Sequence, residues 1–154
     1  MHTMDVKPVE VLNTLIGINN ERIEGYNYAA KEIDATIFKV LFNRLTETSF
    51  ICRHELIKEV QKLGGKPTDG IAPPGDCFRA WLDVISAVSR KDHKAILNSC
   101  TYQENVVIKS YEIALNQEEE INSQQQRLLN RQYDLLKADY VKVKNLLDVL
   151  VKSE

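Results

Sequence analysis

Apolar residues recur along this chain at alternating intervals of three and four. Val9, Leu12, Ile16, Ile23, Tyr26, Ala30 and Ile33, with Asn19 as the one polar member, keep that rhythm without a slip. Such a seam predicts an amphipathic helix over about 8–33, packed against other helices. Pro8 suits its first turn, where the N–H that proline lacks would have no helical partner. Asp34-Ala35-Thr36 is expected to end this helix and cap the next. Phe38, Leu41, Leu45, Thr48, Cys52, Leu56, Val60 and Leu63 form a second seam over 36–63, stopped by Gly64-Gly65. So short a connection between the two makes them an antiparallel hairpin.

The rhythm then breaks. Seven of the ten glycines and prolines (Gly64, Gly65, Pro67, Gly70, Pro73, Pro74 and Gly75) crowd into one stretch. Phe78, Trp81, Leu82, Ile85 and Val88 predict a shorter helix over 76–89, and Asp92 is placed to cap another over 92–115. The seam of that next helix is Ile96, Cys100, Gln103, Val107, Ser110 and Ala114, flanked by Leu97, Tyr111 and Leu115. Asn116-Gln117 interrupts it, and Glu118-Glu119-Glu120 would favour the positive end of a last helix over 118–151. Its expected seam is Ile121, Gln125, Leu128, Gln132, Leu135, Asp139, Lys142, Leu146 and Val149. Nothing alternates with period two, and no glycine-rich phosphate or dinucleotide pattern occurs.

The pattern therefore predicts an all-α chain, one domain over 1–154, made of two antiparallel helical hairpins joined by a long crossover that contains a short helix. Four long helices with one such crossover give the ferritin-like four-helix bundle, whereas an up-down bundle has only short loops. Composition agrees: 44% hydrophobic and 27% charged residues exclude general disorder. No apolar run approaches the roughly 20 residues of a membrane span. Twenty Lys and Arg against 22 Asp and Glu leave a net charge of −2, so nucleic acid finds no general attraction. The N-terminus lacks a basic start followed by an apolar core, so no secretory leader is expected. Cys52, Cys77 and Cys100 are few and far apart, which reads as reduced thiols in a cytoplasmic protein. His54 lies two residues from Cys52, on a different side of the helix, so it is no base for that thiol.

Leu15-Ile16, Glu24-Gly25-Tyr26, Ala29-Ala30, Leu63-Gly64-Gly65-Lys66-Pro67, Arg79-Ala80-Trp81, Glu104 and Tyr111-x-x-Ala114-Leu115 follow one another in a familiar order. They resemble an uncharacterised bacterial family of small ferritin-like four-helix proteins, catalogued as a domain of unknown function. The similarity runs from about 8 to 148. It implies a ferritin-like bundle in a bacterial cytoplasm and no established activity.

Ferritin-like carboxylate proteins hold two metal ions with a Glu from each of two helices and a Glu-x-x-His from each of the other two. Reflecting the first hairpin through its turn sets Glu24 level with Glu47, and in the second hairpin Glu104 faces the region of Asp134. Phe50 stands three residues after Glu47, Ile51 three before His54, and no histidine follows His93. Both Glu-x-x-His motifs are missing. Glu24, Glu47 and Glu104 are thus weak metal candidates, and partly solvated acids on the seam flanks is the plainer reading. Glu55 and Asp139 lie at or beside seam positions and would need a partner such as Lys142, Tyr26 or Arg53. Asn19, Gln103, Gln125 and Gln132 are expected to fix helix register as buried amides. Trp81 with Phe78 is expected to close one end of the core.

Two functions of different class fit these residues. One is a non-enzymatic bundle, without catalytic residues or cofactor, that forms a homodimer or small homo-oligomer or binds a protein partner; the apolar end of the last helix (Leu146, Leu147, Val149, Leu150, Val151) would pair with a second copy. The other is a carboxylate-only iron or manganese protein, an oxidase or iron-handling protein, built on Glu24, Glu47 and Glu104. Nucleic-acid and membrane-surface binding are not expected, because the helices mix both signs of charge.

Overall fold

A computed structural model describes residues 6–71 and 76–153. Five helices follow in order: α1 (Val6–Glu32), α2 (Thr36–Lys62), α3 (Asp76–Ser89), α4 (His93–Leu115) and α5 (Ser123–Lys152). There is no strand among the described residues, and no described helix is long and apolar enough to cross a membrane. α1 pairs with α2 and α4 with α5, each as an antiparallel hairpin, while α3 packs against α1 and α4.

The helix ends show why the chain turns where it does. At the end of α2, Gly64 takes φ +80° while the amides of Gly64 and Gly65 donate to the carbonyls of Gln61 and Val60. That is a left-handed closure glycine adopts without strain. Lys91 makes the same closure after α3, at φ 57°, with the amides of Lys91 and Asp92 bonded to Val88 and Ala87. Asp92 caps α4 as expected, its carboxylate accepting from the Ala95 amide. The first hairpin differs from expectation: Ala35 itself holds the cap position of α2 and offers no side-chain bond.

α5 corrects two readings of the sequence. It begins at Ser123, not at Glu118, because Asn122 and Gln125 form a reciprocal capping box. Two directed hydrogen bonds outweigh the diffuse attraction of Glu118-Glu119-Glu120 to a helix end. Its buried side is Gln125, Leu129, Gln132, Leu136, Asp139, Val143 and Leu147. Leu128, Leu135, Lys142, Leu146 and Val149 lie on the flank instead. The two sets share Gln125, Gln132 and Asp139, and the true one places Val143 inward where the other would bury Lys142.

α1 is enclosed on most sides, so Leu12, Leu15, Ile16, Ile18 and Ile23 are all buried. The apolar interior divides in two. One cluster, around Tyr26, Phe42, Trp81, Ile96 and Val143, lies toward the α1–α2 turn. The other, around Leu12, Ile16, Leu56, Tyr111 and Leu129, lies toward the opposite end. Trp81 belongs to the first, its ring centroid 4.7 Å from that of Tyr26 in an edge-to-face arrangement; the side chain of Phe78 lies outside the described residues. The indole lies directly on Gly25, where a Cβ would stand 2.3 Å from a ring carbon. Between the two clusters runs a layer of buried polar groups.

Candidate functional site

That layer is built on Arg22, whose side chain is wholly buried. Asn19, Arg22 and Tyr26 share one face of α1 because they stand three and four residues apart. The guanidinium reaches across the bundle axis to α4. Its Nε donates to Glu104 Oε2 at 3.0 Å and its Nη2 to Glu104 Oε1 at 2.5 Å. Nη2 also donates to Asp139 Oδ2 on α5 at 3.3 Å. On α2, Nη1 donates to the Leu45 carbonyl at 3.1 Å and to Ser49 Oγ at 2.7 Å. An arginine has five N–H bonds, and each is used here. Tyr26 adds a further donor, its hydroxyl bonding Glu104 Oε2 at 2.9 Å.

The electrostatics follow from one cation beside two acids. Burial by itself pulls the Arg22 guanidinium down, but Glu104, Tyr26 and Asp139 outweigh it and hold the group above its ordinary value. Burial raises the Asp139 carboxyl; Arg22 and Thr48 pull the other way, and Glu104 adds to the rise. Burial and then Glu104 push the Tyr26 phenol well up, so it remains a donor. The neighbouring thiols are equally quiet. Burial lifts Cys52 to about 12, against the pull of Arg22, and lifts Cys100 as well. Neither is a nucleophile at neutral pH.

A second polar chain continues below. Asn19 donates to the Tyr111 hydroxyl at 3.1 Å, and that hydroxyl donates to Gln132 Oε1 at 2.7 Å. Gln132 Nε2 in turn donates to the Cys52 carbonyl and to Glu55. Glu55 closes the run at the surface with Arg131 at 2.7 Å. Gln125, Gln132 and Asp139, seven residues apart on α5, therefore carry one polar position per heptad.

The candidate residues separate in space. Glu24 and Glu47 stand on the exposed sides of α1 and α2, and Glu104 is buried at the axis. The fold does not bring the three together, because burying the Arg22–Glu104 pair directs Glu24, two positions away on the helix, outward. Glu104 is correspondingly no solvated flank acid. The acids also found other partners than expected: Asp139 meets Arg22, Glu55 meets Arg131 and Gln132, and Arg53 bonds Asn20. Lys142 is exposed. Arg22 was not foreseen. The available signal was its place between Asn19 and Tyr26, facing two seam acids that had no cation.

Whether such a centre suits a pair of metal ions is a question of donors. Two carboxylates face the axis, and the guanidinium occupies the space between them. No group of three or more His, Cys, Asp or Glu able to hold an ion occurs among the described residues. The set does not fit a di-metal carboxylate site, whose ions need four acids and two imidazoles.

Comparison with known proteins agrees on the fold. The family described as "Domain of unknown function (DUF2383)" matches residues 7–117. Among solved structures, a ferritin-like, diiron-carboxylate protein from Bacillus anthracis str. Ames superposes with a TM-score of 0.65 at 19% identity, covering 97% of this chain and 99% of that one. At that identity the similarity speaks for a ferritin-like architecture alone. No curated protein matches the chain.

Proposed function

From the premise that the chain belongs to the family of unknown function DUF2383 and has the ferritin-like fold, we propose that it is a metal-free bundle acting non-enzymatically through its surface, by self-association or by binding a protein partner. One observation carries this reading: Arg22, with all five N–H groups engaged, sits at the centre of the bundle where all four long helices converge. A fixed cation there offsets one of the two inward acids and fills the space between them, which leaves a divalent ion little room and little negative charge. The free, buried thiols Cys52 and Cys100 suit a reducing compartment, which supports placing the protein in a bacterial cytoplasm.

The test is metal analysis of protein purified without chelator, followed by titration with ferrous iron and with manganese. No stoichiometric metal and no saturable spectral change are expected. Saturable binding that disappears in Glu104→Gln would overturn the proposal in favour of a carboxylate-bound metal.

A further inference from the structure

One face of α2 carries six residues pointing to solvent: Ile37, Val40, Arg44, Glu47, Ile51 and His54. Ile37 is 59% exposed, Val40 63% and Ile51 48%, a large amount for aliphatic side chains aligned on a single helix. Their spacing is three, four, three, four, three, and it reads the same from either end. The chemistry is ordered the same way: apolar, cation, anion, apolar across the central four. Neither Arg44 nor Glu47 makes an ion pair among the described residues.

We propose that this stripe is an interface with a second copy of the chain, in which α2 packs antiparallel on α2 across a two-fold axis. The proposal deepens the reading of a surface-acting bundle and rests on it. A two-fold axis perpendicular to a helix reverses its direction, so the surface must be complementary to its own reversal. This stripe meets that demand. With the axis between residues 45 and 46, Arg44 faces Glu47 of the second copy and Glu47 faces its Arg44. Val40 and Ile51 pair in the same way on either side, and Ile37 and His54 form the outermost pair. Both charges are thereby matched twice while six aliphatic side chains, Ile37, Val40 and Ile51 of each copy, leave water. Beside the stripe, a groove lined by Ile37, Val40, Leu41, Arg44, Lys142 and Leu146 continues the apolar surface onto the flank of α5. An unrelated partner would require no such internal symmetry; the charge order selects a second copy.

The experiment is sedimentation equilibrium of the full chain, its Arg44→Glu and Glu47→Arg variants, and an equimolar mixture of the two variants. Both sites are exposed, and circular dichroism confirms that the helices persist. The wild-type chain is expected to be a dimer. Each variant, placing like charges opposite one another twice, should dissociate at least about tenfold more readily. The mixture should restore the dimer, because an all-acidic stripe then meets an all-basic one. A wild-type monomer at every concentration, variants as dimeric as wild type, or a mixture that stays monomeric would each overturn the interface. Metal content measured on the same samples separates this outcome from the interior: a metal-free monomer overturns the interface alone, and a dimer with saturable iron overturns the metal-free centre alone.

Discussion

Arg22 and Glu104 meet across the bundle axis through two parallel hydrogen bonds, although 82 positions separate them in sequence. A pair this deep is held as much by the cost of breaking it as by its own attraction. Arg22→Met leaves Glu104 charged and buried, and is expected to lower unfolding free energy by about 3–5 kcal/mol. Arg22→Met combined with Glu104→Leu should recover only part of that loss, because Asp139 still lacks its cation. Urea unfolding of the wild type, both single variants and the double variant measures the coupling directly; additive losses would contradict it.

Asp139 is the acid in excess. Its carboxyl is raised above the ordinary 3.8, with burial as the main cause. Because the folded-state value is higher than the unfolded one, the stability this group contributes is complete below about pH 3.8 and is lost as pH rises through the raised value. Asp139→Asn removes that loss. The variant's stability relative to wild type should therefore increase from acid toward neutral pH. Chemical denaturation at a series of pH values checks the sign; a difference that falls with rising pH would exclude it.

Gly25 is fixed by the ring above it. Gly25→Ala would gain up to about 1 kcal/mol in helix propensity. The new methyl, however, would lie between 2.3 and 2.8 Å from three carbons of the Trp81 indole. A rigid ring packed on Tyr26 cannot swing away at its tip, so a net loss of about 1–3 kcal/mol is expected. Thermal melting gives the magnitude. The fluorescence of Trp81, the chain's one tryptophan, should shift as the indole is displaced.

Two helix termini leave stability unclaimed. Ala35 has cap geometry, φ −66° and ψ 119°, but no side-chain acceptor. Ala35→Ser should add about 0.5–2 kcal/mol by bonding a free amide of the first turn of α2. Lys91 holds a left-handed conformation at φ 57°, and Lys91→Gly should relieve about 1 kcal/mol. Each should raise the melting temperature; a fall in either would show that the loop, rather than the cap, sets the local energetics.

The helices and their order were legible in the sequence because hydrophobic spacing and terminal residues are local signals. α2 shows this best: Phe38 through Val60 are buried as their rhythm predicts. The facing side of α5 was less legible, since two stripes of equal periodicity compete and only the packed neighbours choose between Leu128 and Leu129. The centre was least legible. Single acids such as Glu104 and Asp139 could be flagged, but their common partner lies on another hairpin, and arginine on a helix ordinarily reads as a surface residue. Glu47 could be flagged as an acid level with Glu24, but the side of α2 it takes depends on packing: it faces outward, apart from the buried Glu104.

The buried charges are divided between the hairpins. Arg22 belongs to the first, and both Glu104 and Asp139 belong to the second. Both apolar clusters likewise draw on the two hairpins together, and either hairpin alone would strand a charge with no counter-ion. Neither half is therefore a self-sufficient folding unit. The charges are matched only when the two meet, so the layer at the axis couples both hairpins into one cooperative transition.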